Sequence, residues 1–177
     1  MSIDHFVERS TGTWRSMRSA HSLAFRQFED VLSEIQIQSL SIDEDEVSEC
    51  LAEHSLSRDR ISNPFRMRWH AESDWESDDP TSIAQGSCIL IPIPDSQRTG
   101  KLLRSKGYAE STSALSTYSF LDDDTFILRT IYDQSMAEER IWFLSEHLRC
   151  RSSVLRTSEG SGILQTSFCS EIRKIEA

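Results

Sequence analysis

Apolar and polar residues alternate along most of this chain with a period of two, and turn-forming residues interrupt the pattern at short intervals. The run Ser33–Leu40, SEIQIQSL, alternates cleanly with Ile35 and Ile37 on one face, and Trp14–Phe25 alternates more loosely. Downstream of Pro64 the pattern predicts strands over Phe65–Asp74, Gly86–Ile93, Gly100–Tyr108, Ser113–Phe120, Thr125–Tyr132, Met136–Leu144, Leu148–Arg156 and Ile163–Ile172. Turn signals fill the gaps: DDP at Asp78–Pro80, PIPD around Pro94, DDD at Asp122–Asp124 and GSG at Gly160–Gly162. Two helices interrupt the strands. One covers Ser2–Arg9 and is broken by Thr11 and Gly12. The other covers Asp43–His54, where Asp43, Glu44, Asp45 and Glu46 suit the positive end of a helix dipole and Val47, Cys50, Leu51 and His54 form one stripe.

Many short strands joined in sequence argue for an antiparallel meander that closes on itself, a barrel able to enclose one small ligand. No repeat, low-complexity tract or linker divides the chain, so residues 1–177 are read as one domain. The acidic, serine-bearing stretch Glu72–Ser82 reads as a loop at the barrel mouth.

The segment Met136–Leu155, MAEERIWFLSEHLRCRSSVL, carries the most chemistry. Ser145, Glu146 and His147 form the turn of a hairpin. If Leu144 pairs with Leu148, Phe143 faces Arg149 and Ile141 faces Arg151, and Glu139 shares their face. Two arginines and a carboxylate beside Ile and Phe form an anion-binding wall suited to a dicarboxylate. A cross-strand salt bridge on the solvent face is the plainer alternative, and residues alone do not choose between them.

Charge narrows the partners. A net charge of −10 opposes nucleic acid or an anionic membrane surface as the main partner. Arginine supplies nearly all the positive charge, since only Lys101, Lys106 and Lys174 are lysines; its forked donor geometry suits carboxylates or phosphates, and a genomic or lineage bias accounts for the ratio equally well. No stretch is apolar enough to span a bilayer, and the first residues, MSIDHFVERSTGTW, do not resemble a secretory signal. The chain therefore reads as a protein of the cytosol or of an organelle stroma.

Cys50, Cys88, Cys150 and Cys169 lack zinc-site spacing and read as free thiols, and the five histidines make no metal set. No GxGxxG, Walker, GxSxG or HExxH motif occurs. Trp69 and Trp75 could be platforms for a flat conjugated ligand or simply core. His21 could donate to a ligand or shuttle a proton, or be structural.

The stretches FVERSTGTWRSMRSAHSLAF, ILRTIYDQSMAEERIWF and LRCRSSVL together resemble the S-type phycobiliprotein lyases, also called CpcS/CpeS bilin lyases. The resemblance runs in order from Phe6 to about Ile172, and ERIWF followed by LRxRxSVL is its most specific part. It implies an antiparallel β-barrel of the lipocalin and fatty-acid-binding-protein (calycin) type with an N-terminal helix and one further helix. It also implies a lyase that transfers a linear tetrapyrrole, phycoerythrobilin or phycocyanobilin, to a cysteine of a phycobiliprotein α or β subunit as a thioether.

The bilin is then a bound substrate, with no prosthetic group and no metal. Carried over by resemblance, Arg149 and Arg151 hold the two propionates and Glu139 contacts the pyrrole nitrogens as the catalytic residue. Trp69 and Trp75 line or shield the pocket, and His21 matches the histidine of the N-terminal motif. A reductase of bilin synthesis and a second copy in a homodimer are further partners in view. The compartment would be a cyanobacterial cytoplasm or an algal plastid stroma. A non-catalytic bilin or lipid carrier, or one subunit of a heteromeric lyase, are the competing readings. Met17, Glu146 and His147 depart from the usual family pattern, which bears on substrate preference and on the hairpin turn.

Overall fold

The computed structural model describes residues 1–23, 25–72, 85–105, 114–159 and 162–175, with only the backbone of Glu72. The elements, in order, are α1 (Ile3–Ser10), β1 (Gly12–Ser22), β2 (Gln27–Ser39), α2 (Asp45–Glu53), a 3-10 turn (Arg58–Arg60), β3 (Phe65–Glu72), β4 (Gln85–Pro94) and β5 (Thr99–Arg104). They continue with β6 (Ala114–Phe120), β7 (Phe126–Ile131), β8 (Ser135–Phe143), β9 (Leu148–Thr157) and β10 (Ile163–Arg173). Every strand pairs antiparallel with its sequence neighbour, and β1 pairs with β10, which closes a ten-strand barrel. Closure leaves no sheet edge to template association.

Side-chain alternation sorts each strand into an inner and an outer face. Trp14 pairs with Ile35, and Ile35 with Trp69, and all three point inward. The inner apolar cluster fills one end of the barrel, with Phe65, Cys88, Leu90, Leu102, Tyr118, Phe120 and Phe126 around Trp14. Helix α1 plugs that end. Ser2 caps it, accepting from the His5 backbone N–H at 3.4 Å. Its apolar side buries Ile3, Phe6 and Val7, and Phe6 stacks on Phe126 with centroids 4.3 Å apart. The Trp14 Nε1 donates to the Ser10 carbonyl at 2.8 Å, satisfying a helix-end acceptor.

Helix α2 lies outside the barrel, where Val47, Cys50 and Leu51 pack on Ile89, Ile91, Ile93 and Leu103. This explains why β4 reads CILIPI without alternation: Cys88 and Leu90 face the interior while Ile89, Ile91 and Ile93 face the helix. No helix among the described residues is long and apolar enough to cross a membrane.

The ten strands and two helices match the sequence expectation, with one clear difference in extent. β2 begins at Gln27 rather than Ser33, because Gln27–Leu32 pairs with β1 at the rim, where the first residues are exposed on both faces and apolar alternation has nothing to mark. The expected strand ends at Asp74 and Tyr108 and the proposed mouth loop from 73 onward lie outside the described residues.

Candidate functional site

The hairpin of β8 and β9 has the register its sequence predicts: Phe143 opposite Arg149, Ile141 opposite Arg151, and Glu139 opposite Ser153. Ile141 and Phe143 pack against the inner cluster, so this face points into the barrel and the solvent-face salt bridge does not occur. Glu139, Arg149 and Arg151 are thus brought to one interior wall, stepped from the mouth towards the plugged end.

At the lower step the arginines meet a carboxylate from β10. Arg149 lies opposite Glu171 across the β9–β10 ladder, and its Nε donates to Glu171 Oε2. Arg151 Nη2 lies 3.1 Å from Glu171 Oε1, and the Ser16 hydroxyl donates to the same oxygen at 3.3 Å. Glu171 is 1% exposed and Arg149 3%. Burial on its own would raise the Glu171 pKa, but the Arg151 and Arg149 guanidiniums and the hydrogen bonds from Arg149 and Ser16 hold it below the usual carboxylate value.

Burial dominates at Arg149 and lowers its pKa against the pull of Glu171, whereas Arg151, with Glu171 and Glu139 both near, is raised. Both remain cations, since an arginine starts far above neutral pH. The Arg149 guanidinium also lies 4.4 Å from the Trp14 ring, and that of Arg173 4.3 Å from the same ring.

Above this cluster the interior turns polar. A cavity of about 390 Å³ is lined by Arg18 from β1, Arg104 from β5, Thr130 from β7, Glu139 and Ala137 from β8, Ser153 and Leu155 from β9, and Gln165 and Ser167 from β10, with Tyr132. That volume is typical of small-molecule sites. Ser153 and Ser167 share a hydrogen bond of 2.7 Å, Arg104 Nη2 reaches the Tyr132 hydroxyl at 3.4 Å, and Arg18 Nη2 donates to Glu29 at 3.1 Å. Glu139 has no hydrogen-bond partner among the described residues, and its charge acts on Arg151. Its carboxylate is therefore available to a ligand.

The other expected residues separate. Trp69 points inward and packs against the core cluster, its indole pressed on Gly86, where a Cβ would overlap the ring. Trp75 lies outside the described residues. His21 is exposed on the outer face of β1, where its ring lies tilted against Phe28 with centroids 4.8 Å apart, and it is not among the residues lining the interior cavity. The reason is parity, since Trp14, Ser16 and Ala20 are the buried, inward residues of β1 and an odd-numbered neighbour must point away.

Arg149 also differs from the open anion clamp suggested by the hairpin alone. It is 3% exposed, its Nε is engaged by Glu171, and it is not among the residues lining the cavity. Arg18, Arg104 and Glu171 escaped the sequence reading. Arg18 was legible as the next inward residue after Trp14 and Ser16. Glu171 needed the β9–β10 register, which no local pattern supplies.

Among the described residues no group of His, Cys, Asp and Glu is arranged to hold a metal ion. All four cysteines are free and buried. Burial first, then nearby carboxylate charge, pushes the Cys50 and Cys150 thiols up, which disfavours a nucleophilic thiolate at either.

Comparison with known proteins agrees with this geometry. The family described as CpeS-like protein matches residues 2–174. The chain is 49% identical over 175 residues to Chromophore lyase CpcS/CpeS 3 of Trichodesmium erythraeum (strain IMS101), covering 98% of this chain and 99% of the relative. It is 42% identical to the Putative phycoerythrobilin lyase CpeS of Microchaete diplosiphon, over 89% of this chain and 71% of the relative. The solved S-type phycobiliprotein lyase CPES from Guillardia theta superposes with a TM-score of 0.84 at 37% identity, covering 100% of this chain and 95% of that one. The chain belongs to the CpeS-like family.

Proposed function

We propose that this CpeS-like protein is a phycobiliprotein lyase that takes a linear tetrapyrrole into the polar half of its barrel and delivers it to a cysteine of a phycobiliprotein subunit. The observation that carries the proposal is Glu139: a carboxylate without a hydrogen-bond partner among the described residues, lining a closed-bottom cavity and backed by Arg151. A ligand with N–H donors in its middle and carboxylates at its edge complements that arrangement. A tetrapyrrole has four nitrogen-bearing rings and two propionates.

In this reading Glu139 accepts from the pyrrole N–H groups and stabilises the protonated bilin, a better electrophile than the neutral one. Arg151, Arg18 and Arg104 supply guanidiniums to the propionates. Arg149 acts indirectly, holding Glu171 so that Arg151 keeps its place. Trp69 offers its indole as an apolar platform, and the role of Trp75 rests on the family resemblance.

The acceptor thiol adds across the ring A ethylidene double bond. The C–S bond forms, the π pair moves into the conjugated system, and the proton lost by sulfur is made up on the pigment. No oxidant or reductant is needed. Holding the pigment in one shape controls which carbon and which face the thiol meets.

The substrate is phycoerythrobilin or phycocyanobilin, the partner a phycobiliprotein α or β subunit, and the setting a cyanobacterial cytoplasm or plastid stroma. The test is incubation of purified chain with each bilin and an apo-subunit, followed by denaturing electrophoresis. Pigment that stays with the subunit after denaturation supports a lyase. Pigment that binds this chain and is never transferred identifies a carrier and overturns the proposal.

A further inference from the structure

The open end of the barrel keeps large apolar side chains in solvent. On the β1–β2 connection Leu23 is 51% exposed and Phe25 76%, Phe28 at the start of β2 is 58% exposed, and Ile163 at the start of β10 is 53% exposed. These form one neighbourhood. The Leu23 backbone N–H donates to the Leu164 carbonyl at 2.9 Å, and the Phe28 ring packs on His21. Halfway round the ring of ten strands, Leu115 on β6 and Ile131 on β7 are also exposed at the same end. The opposite end is sealed by α1, with Phe6 buried against Phe126.

We propose that the β1–β2 tip, comprising His21, Leu23, Phe25 and Phe28 with Ile163 beside it, is the seat of the acceptor polypeptide, which lays an apolar surface next to its reactive cysteine. The inference rests on the lyase reading above. Its argument is continuity with the substrate cavity: the nucleophilic thiol belongs to another protein, and α1 closes the floor, so that protein must approach over this end. The tip belongs to the same hairpin as Arg18, which lines the cavity, so a partner seated here lies directly above the bound pigment. Exposed aromatic anchors at such a place are what a transient protein contact uses. The net charge of −10 argues against an anionic lipid surface as the occupant.

The test uses the full chain carrying Phe25→Ser with Phe28→Ser, and separately Ile163→Ser on the neighbouring strand, each first shown to be folded by far-ultraviolet circular dichroism. The expected result is a roughly tenfold rise in KM for the apo-acceptor in the double variant. Turnover at saturating acceptor, bilin affinity and the bound-bilin spectrum stay at wild-type values, and Ile163→Ser shifts KM in the same direction. An unchanged KM in both variants overturns the proposal. So does a loss of bilin affinity, which would make the tip part of the pigment pocket. A change of oligomeric state in sedimentation with KM unaffected would assign the patch to a second copy instead. Failure of the wild-type chain to transfer pigment to any acceptor defeats the lyase reading itself, and is separately visible because it precedes any substitution.

Discussion

Replacing Glu171 with Gln isolates the buried charge cluster beneath the cavity. The substitution keeps the side chain's shape and an acceptor oxygen but removes the only carboxylate among the described residues in ion-pair contact with Arg149, whose side chain is 4% exposed. Arg151 fares better, being 22% exposed at its side chain and still influenced by Glu139. Removing one partner of a buried pair costs about 3–5 kcal/mol, because the remaining charge is stranded. With a urea slope of about 2 kcal/mol per molar for a domain this size, the unfolding midpoint should fall by roughly 2 M. Fluorescence is a suitable probe, since the fully buried Trp14 lies against the affected guanidinium.

Glu138→Gln is the matched control. Glu138 also bridges two arginines, Arg129 and Arg140, but on the outer face, where those arginines are 55% and 54% exposed. The cost there should be about 1 kcal/mol or less. The two curves should also respond differently to acid. Glu171 is held below its ordinary value of 4.5, so its stabilisation is complete above that pH and is lost as pH falls through the depressed folded-state value. The gap between wild type and Glu171→Gln should therefore be widest near neutrality and close in strong acid, where the native glutamate is itself protonated. A Glu171→Gln penalty no larger than that of Glu138→Gln, or one independent of pH, would refute the account of this cluster.

Glu139→Gln should leave folding stability unchanged within about 0.5 kcal/mol, retain bilin binding, shift the bound pigment's absorption towards the unprotonated form and slow transfer; identical spectra and rates would remove Glu139 from the site. Gly86→Ala should displace the Trp69 indole, costing about 1–3 kcal/mol through overpacking, with a changed near-ultraviolet circular dichroism spectrum and weaker bilin binding. Tyr118, buried and pushed up to about 12 first by desolvation and then by Asp95 and Asp4, should stay protonated in a spectrophotometric titration until well past pH 10. Because its folded-state value is raised, its contribution to stability is present below pH 10 and lost as pH rises towards 12; ionisation near pH 10 in the folded protein would contradict its burial.

The barrel was legible because its information is local. Alternation at Ile35 and Ile37, turn residues at Asp122–Asp124, and a helix stripe at Val47, Cys50 and Leu51 are each read within a few residues, and a meander pairs only sequence neighbours apart from its closing strand. The β8–β9 register was legible for the same reason: a short turn leaves little freedom once Leu144 meets Leu148. What stayed hidden depends on where a face points. Glu139 reads identically whether the hairpin faces solvent or cavity, and only Ile141 and Phe143 meeting the core of other strands decides it.

Glu171 and His21 show what strand partners and strand parity add to a local reading. The arginine pair on β9 looks like a receptor for an external anion when its own strand is considered, yet β10 already supplies one carboxylate to both guanidiniums. One internal anion beneath two cations leaves a net positive charge at the cavity floor, and Glu139 sits above it with no hydrogen-bond partner among the described residues. The site is thus neither a bare clamp nor a neutralised core, because Arg151 is shared between a buried carboxylate and one that faces the cavity. On the proposed reading, a propionate arriving at Arg151 would compete with Glu139 for the same cation while the pigment's N–H groups would offer Glu139 a replacement. His21 errs in the opposite direction. Its place in one short stretch with Trp14 and Arg18 suggests a shared pocket, but parity puts Trp14 and Arg18 inside and His21 outside. A single stretch can therefore place residues on both faces of one strand, and on the proposed reading the inner face meets the pigment and the outer face the partner that covers the mouth.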